Sequence, residues 1–545
     1  MNRIERVVLR TGLAGLLVTA LALAASSTLV YPGGKPQYCG HDEQMDRFMR
    51  QEAAPPRPEL SGNELTKNST HFRVHYTLSG EDSTTAAHAE SAKVAAETSW
   101  ARASALGWQM PPSDGGRGGG SGLYDIYIRK LVGYSGVCIE DSEYTETYPD
   151  GYTSWVEIEN DFSSWPWVRS LVAHEFSHSN QKAYSQFEND PARYFYENTS
   201  TLMQHIIFSD YDQLPGWLGS SPSHLKTPHW GIFTRSGTYH YSGGLWAWML
   251  SNYYDAVMPR ALIRSWTIMG GHAGEHTRYD TDSVLRRYYD SDLKKAIGHY
   301  AVWRFFTAGR DDGRHFAEGD SYPLVTILRS HSTYPASGDE GSTPPSVPGG
   351  CNFIRLTGFG TNDVTVSFDG QNGYNWACYL VGLRGGSSYE YKLVLNANEA
   401  GSITIPGAEF DTIAIIPVEI HWADTAAGRT YTYNVSLSYY ASAGVAERPL
   451  PVDFVVRTRS NPARAPVTFS LPRAAGAVFR IRSLTGACVR VYDRPSAVLT
   501  WDGRDGRGFQ VPSGTYICEL EAGDRVVRKK LVLSSQAPGN GRVSR

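Results

Sequence analysis

The sequence predicts a multidomain α+β protein: one mixed α/β domain with a helical second half, followed by two β-sandwiches. Three observations predict it. The 545 residues exceed what a single hydrophobic core organises, so two to four domains are expected. Helical periodicity dominates from Trp165 to about Tyr300. Beyond a Gly/Pro/Ser-rich break at 336–350, the chain turns to short alternating runs of strand length.

Taken in order, the chain opens on an export signal. Arg3, Arg6 and Arg10 precede an apolar run from Gly12 to Ala25, and Ala22-Leu23-Ala24 offers a small-residue cleavage site. Residues 1–25 are therefore expected to be removed. Extension of the run to Val30 would instead make an uncleaved anchor, an alternative that Ser26, Ser27 and Thr28 weaken. The protein is expected to be secreted or at the cell surface.

Residues 26–70 are polar and contain Pro55, Pro56 and Pro58, which suits a prosegment or a loose lead-in. The mixed domain is expected over 71–335. A strand-like run, His71 to Thr77, opens it. An alanine-rich helix follows from Thr84 to Ala105 and stops at Gly107. A glycine-rich loop, Ser113 to Gly122, leads to two strands, Leu123 to Ile128 and Trp155 to Glu159. The second of these reads equally well as an edge strand that pairs with an extended peptide or as a plain sheet strand. A helix beginning at Trp165 carries Val168, Leu171, Val172 and Phe176 on its apolar side. Another runs from Pro191 to about Ile207, and more begin near Gly243, Pro259, Asp282 and Asp292.

Residues 336–350 are then expected to be a linker, 351–441 a β-sandwich, and 452–535 a further all-β module. Strands are expected at Thr365–Phe368, Tyr389–Leu395, Thr412–Pro417 and Tyr431–Ser436. In the last module Trp501 anchors a core, and Asp502-Gly503 and Asp505-Gly506 are turn pairs; calcium binding by those aspartates is the lesser reading.

A net charge of −4 with no basic run argues against a nucleic-acid partner. Six cysteines in an exported chain point to disulfides. Local pairs 351–378 and 488–518 are the natural choice among fifteen pairings. Cys39 is expected to pair with Cys138, the alternative being a thiolate that caps a metal.

That metal is suggested by His174-Glu175-Phe176-Ser177-His178. Two histidines four apart share one helical face and reach one ion, and the glutamate between them lies about 100° around the helix, where it can hold a water on that ion. Zinc (Zn2+) needs a third protein ligand and an open fourth position. Glu197, on the next helix, is the best candidate, with Glu188 in reserve. The tetrahedral intermediate of acyl transfer also needs a donor, for which Tyr241 is preferred and His240 second. His88, His205, His229, His272, His276 and His299 show no ligand spacing.

The motif with its downstream helix glutamate resembles the gluzincin metallopeptidases. VAHEFSHSNQ followed by RYFYENTSTLM resembles, more narrowly, a family of secreted bacterial metalloproteases whose helix reads HEFFHAIQ. HFRVHYTLSG, LGWQMPPSDGG and YDIYI support the likeness, which covers roughly 70–440. It implies a zincin-like domain in which His174, His178 and Glu197 bind zinc and Glu175 is general base and then acid. Ser177, Ser179 and Asn180 depart from that family's pattern. No Gly-x-Met-Glu-Asn element is present, which favours an endopeptidase over an aminopeptidase.

Residues 452–535 resemble the immunoglobulin-like C-terminal module related to the flagellar hook-capping domain and to type IX secretion sorting signals. The resemblance implies contact with outer-membrane secretion machinery, although such signals usually end at the last strand and here Ser534 to Arg545 follow. The expected activity is zinc-dependent hydrolysis of a protein or peptide substrate by a monomer. The rival is a cell-surface binding protein with an inactive zincin domain and sandwiches that recognise glycan or protein, with which 12% aromatic residues are compatible.

Overall fold

Alternation in the first strands buries one face against helices and leaves the other to a polar layer. The computed structural model describes residues 37–534, apart from 162–164, 187–192, 212, 256–258, 272–276, 340–348, 386, 423–428, 439–454, 458–464, 472–476, 484–486, 494, 497 and 523–524. The proposed export signal lies outside the described residues. The chain forms two units, Met1–Tyr440 and Ala441–Arg545.

The first unit begins with β1 (Gln37–Cys39), α1 (His41–Met49), β2 (Glu64–Asn68), β3 (Phe72–Thr77), α2 (Ala86–Leu106), β4 (Tyr124–Arg129), β5 (Tyr134–Glu143) and β6 (Tyr152–Glu159). Their strands make one six-stranded sheet in the order β1-β5-β6-β4-β3-β2. The β3, β4 and β6 strands are mutually parallel, β5 runs antiparallel to β6, and β1 is parallel to β5. Trp155–Glu159 is thus an interior strand between β5 and β4, not an edge. The lead-in is also more ordered than its composition suggests, since 26–70 supplies β1, α1 and β2.

Helix α2 starts where the Thr85 side chain accepts the His88 N–H, and it ends at Gly107 in the left-handed conformation. Its buried face is Ala89, Ala92, Ala95, Ala96 and Ala103, small enough to let it lie close against α3 (Trp165–Lys182). Phe72, Trp100, Tyr124 and Phe176 interlock in that interface with ring centroids 5.4–6.1 Å apart.

A helical region follows: α4 (Arg193–Ile207), α5 (Leu214–Gly219), α6 (Tyr239–Ser242), α7 (Gly244–Tyr254), α8 (Arg260–Gly270), α9 (Thr277–Tyr289) and α10 (Leu293–Phe305). Asp292 caps α10 as its spacing predicts, accepting Lys295 N–H at 2.8 Å. Asp282 does not start a helix. It sits inside α9, where it pairs with Arg286 and accepts Leu293 N–H.

Strands β7 (Arg329–His331), β8 (Ala336–Asp339), β9 (Ile354–Leu356), β10 (Asp363–Gly370), β11 (Trp376–Arg384), β12 (Ser387–Lys392), β13 (Ala400–Pro406), β14 (Thr412–Glu419) and β15 (Tyr431–Ser438) form two facing sheets, β13-β10-β15-β8 and β12-β11-β14-β9-β7. The linker reading of 336–350 is corrected at its start: Ala336–Asp339 pairs with β15, while 340–348 fall outside the described residues. A Gly/Pro/Ser count is blind to backbone pairing.

This sandwich shares a core with the helical region. The β14 strand is buried on both faces, and α10 packs on β11 and β14. Buried Arg304 ties the seam, donating to the carbonyls of His224, Pro228 and Gly349 and to Cys351 Sγ.

The second unit contains β16 (Val455–Arg457), β17 (Val467–Ser470), β18 (Val478–Ser483), β19 (Cys488–Asp493), β20 (Val498–Trp501), β21 (Gly514–Ala522) and β22 (Arg525–Leu533), in sheets β16-β17-β20 and β19-β18-β21-β22. Trp501 is fully buried among Val467, Phe469, Phe479 and Leu520. Asp502 accepts Arg504 N–H, and Asp505 accepts the N–H groups of Arg507 and Phe509. The turn reading of these aspartates fits those bonds.

All six cysteines are unbridged, which corrects the disulfide expectation. Cys351 and Cys378 belong to different cores on opposite sides of one sheet. Cys488 is exposed on β19, whereas Cys518 points into the core from β21, with β18 between them. Cys39 and Cys138 sit on neighbouring strands, but Cys138 Sγ faces Ser179 Oγ at 3.4 Å and Cys39 Sγ faces elsewhere. Among the described residues no helix is long and apolar enough to cross a membrane.

Candidate metal centre

Helix α3 is buried nearly all round between the sheet and α4, so the polar groups along it must find partners inside the protein. Its four-residue spacing puts His174 and His178 on one side, and α4 crosses there with Glu197. The two Nε2 atoms lie 3.2 Å apart. Glu197 Oε2 is 3.1 Å from His174 Nε2, and Glu197 Oε1 is 3.6 Å from His178 Nε2. A fourth donor completes the group: Cys39 Sγ is 3.5 Å from His178 Nε2. One ligand atom from each of Cys39, His174, His178 and Glu197 lies within 4.8 Å of all the others, and all four residues are buried. The cluster could hold a metal ion.

The other ring nitrogens are already engaged. His174 Nδ1 is 2.9 Å from Gln204 Oε1, and His178 Nδ1 is 2.8 Å from Gln181 Oε1. Gln181 is oriented by its own amide, which donates to Tyr196 O at 3.0 Å and Ser200 Oγ at 3.1 Å. An amide oxygen only accepts, so each Nδ1 carries a proton and each Nε2 is left to face Glu197. Without an ion, His174 Nε2 meets Glu197 Oε2 as a hydrogen-bond donor at 3.1 Å; with a cation among the donors, both Nε2 atoms would present lone pairs to it.

The two imidazoles are shifted in opposite directions. Burial pushes His178 down to about 3, whereas for His174 burial is outweighed by the hydrogen bond and charge of Glu197, which raise it. Burial also raises Glu197, but the attraction of His178 and the hydrogen bond and charge of His174 outweigh it and hold the carboxyl down to about 2. An ionised, fully buried carboxylate therefore faces two imidazoles. Glu175 behaves oppositely, pushed by burial up to about 8.

Glu175 lies beside the cluster on the β5 side. Its Oε2 is 3.5 Å from Cys39 Sγ, and its buried Oε1 has no hydrogen-bond partner. Gly136 on β5 makes room for it, because a Cβ there would fall 2.8 Å from Oε1. Of the two donor candidates on α6, Tyr241 is at the cluster, its Oη accepting Cys39 N–H at 3.2 Å and its ring 5.9 Å from that of His174. His240 is buried behind it with ring centroids 4.3 Å apart. Glu188 lies outside the described residues.

Sequence reasoning singled out the histidines and Glu197 but missed Gln181, Ser200, Gln204 and Gly136. Three of these carried a signal: Gln181 is three residues beyond His178, and Ser200 and Gln204 fall three and seven beyond Glu197 on the same helical face. Gly136 carried none, because its role depends on a strand that meets α3 only in the fold.

No protein-family model matches the chain, and no curated protein matches it. Among solved structures it is similar to PorZ of Porphyromonas gingivalis, an essential bacterial surface component of the type-IX secretion system, at 21% identity over 15% of this chain and 11% of that one, with a TM-score of 0.14. Latent dimeric PorU of the same organism gives 16% identity over 32% and 18%, with a TM-score of 0.16. A β-glucuronidase of Faecalibacterium prausnitzii gives 9% identity over 34% and 36%, with a TM-score of 0.14. The chain thus spans between about a tenth and a third of the lengths of these proteins. Likenesses of this kind assign neither fold nor activity.

Proposed function

We propose that the protein is an exported zinc-dependent endopeptidase of gluzincin type, with zinc held by His174, His178 and Glu197. The observation that carries this reading is the convergence of two Nε2 atoms and a buried carboxylate, both Nδ1 atoms being committed to glutamine oxygens. A tetrahedral ion with N and O ligands at about 2.0–2.2 Å and S at about 2.3 Å needs donor separations of roughly 3.3–3.6 Å. The four donors lie 3.1–3.6 Å from their neighbours where a distance is fixed by contact. That donor set also suits zinc better than magnesium or calcium, which prefer oxygen ligands.

Zinc, when bound, supplies a Lewis acid for the scissile carbonyl and acidifies a water. The remaining work falls to side chains. Glu175 Oε2 takes the water's proton and returns it to the leaving amine. The Tyr241 hydroxyl, which meets a backbone N–H beside the cluster, is placed to donate to the carbonyl oxygen as charge develops there. Gln181 and Gln204 hold the imidazoles in the tautomer that ligation needs. The C-terminal unit serves sorting or anchoring at the cell surface, with secretion machinery as its partner.

Casein hydrolysis by the protein, beside Glu175→Gln, tests the assignment. The variant is expected to keep its zinc and lose at least about a hundredfold in rate. Hydrolysis equal to wild type would overturn the role of Glu175. Hydrolysis by neither, with tight glycan or protein binding by both, would favour a binding protein.

A further inference from the structure

Residues 38–41, with Gln44 and Met45 after them, are buried in front of the histidines. We infer that residues 37–49 are an autoinhibitory plug, with Cys39 as the fourth metal ligand in the place of the attacking water; this rests on the metallopeptidase reading above. Three independent features support it.

The first is the position of the sulfur. Cys39 Sγ lies 3.5 Å from both Glu175 Oε2 and His178 Nε2. A water that is to be bound by the ion and deprotonated by Glu175 must occupy that same gap between general base and ligands. The backbone N–H of His41 points at the sulfur from 3.3 Å and fixes its position.

The second is the strand. β1 adds to the β5 edge of the sheet, pairing Gln37 with Tyr134 and Cys39 with Gly136. Gln37 N–H donates to Gly133 O at 3.1 Å, and Gly40 N–H to Gly136 O at 2.8 Å. That edge is the one beside the cluster, and an extended peptide would use the same backbone groups. A side chain at Gly40 would strike the Tyr134 ring at 2.8 Å, so the segment fits only with glycine there.

The third is the flanking packing. Tyr38 is fully buried in an aromatic cage, with ring centroids 5.2 Å from His174, 5.3 Å from Trp217, 5.8 Å from Tyr241 and 6.1 Å from Trp167. His41 stacks on His178 at 4.4 Å and 7°. Helix α1 is tied by Arg47 to Glu140 and by Asp42 to Arg235 at 3.0 Å. Directly after it, Gln51, Glu52 and Ala53 are exposed, so a cut there would detach the plug from the rest of the chain. On release the thiolate leaves with the plug and takes a proton from solvent, and water enters the vacated position.

X-ray absorption at the zinc edge of the whole protein, with Cys39→Ala and Tyr38→Ala beside it, tests the inference. One sulfur at about 2.3 Å is expected in wild type and none in Cys39→Ala, with zinc retained in both. Casein cleavage should rise at least about tenfold in both variants, Tyr38→Ala loosening the plug without touching a ligand. Zinc bound by nitrogen and oxygen alone in wild type would overturn the plug while leaving the metal site standing. No zinc in wild type would overturn both. A zinc–sulfur signal with no gain of activity in either variant would overturn the autoinhibitory role.

Discussion

Two buried polar clusters lie on opposite faces of the same six-stranded sheet, and they are built by opposite rules. On the face away from α3, Arg57 donates to Asp114, Asp125 and Asp141 at 2.6–3.0 Å, and its guanidinium lies 4.7 Å over Trp155. His75 bridges Glu64 and Asp125 there, at 2.8 and 2.9 Å. The acids of that cluster are answered by a cation belonging to the chain. On the α3 face, Glu197, two imidazoles and a thiol converge, while the buried Lys182 of the same helix is held by Glu140 and Gln186. The first arrangement holds a fold together, and the second could hold an ion from outside. The two also differ in burial: Arg57 and Asp141 are partly exposed and Glu64 is exposed, whereas Cys39, His174, His178 and Glu197 are all buried.

The comparison can be broken or sharpened by substitution. The largest effect is expected from Glu197→Ala made together with Cys39→Ala, which leaves two ligands and should abolish zinc binding and with it hydrolysis by at least about a hundredfold, read by metal analysis and casein cleavage. Arg57→Ala should leave zinc content unchanged but cost about 3–5 kcal/mol of stability, because three carboxylates lose their partner; urea unfolding checks this. If Arg57→Ala instead lost zinc, the division into structural and functional clusters would fail. Gln204→Leu should weaken zinc about 10–100-fold by freeing the His174 tautomer, measured by competition with a chelator.

A smaller effect concerns the cage around Tyr38. With the plug released, Trp167, Trp217 and Tyr241 leave a pocket beside the metal that suits an aromatic side chain. Trp217→Ala should lower kcat/KM for aromatic-containing peptides by about tenfold relative to alanine peptides. Equal loss for both would remove the pocket from specificity.

The smallest is a pH effect at the seam between the helical region and the first sandwich. His315 is buried against Phe306 and hydrogen-bonded to Asp312 and Glu390. Burial alone would lower its pKa, but the two carboxylates outweigh that and raise it above 6.5. A raised histidine contributes stability that is complete below the unfolded value and is lost as pH climbs through the folded one. The urea midpoint should therefore fall as pH rises above the ordinary histidine value of about 6.5 in wild type, and less so in His315→Gln.

Much of the candidate site was legible because it is local. His174, Glu175 and His178 lie within five residues, and Glu197 follows on the next helix, so helical spacing alone places them near one another. Cys39 was legible only as a choice. Compartment favoured a disulfide to Cys138, and nothing in the spacing reveals that β1 joins β5 with Cys39 opposite Gly136. The fold followed the same division. Capping residues such as Thr85 and Asp292 act within one turn and could be read, whereas Ala336–Asp339 becomes a strand through pairing with Thr432–Val435. Composition carries no trace of such pairing. The edge role weighed for Trp155–Glu159 failed for the same reason, since edge or interior is decided by which distant strand arrives last.

Native mass spectrometry of the whole protein, beside Glu175→Gln and the double variant Cys39→Ala/Glu197→Ala, tests the central claim most directly. One zinc per chain in wild type and in Glu175→Gln, and none in the double variant, is the predicted result. A wild-type mass without zinc, or zinc that persists in the double variant, would contradict the account.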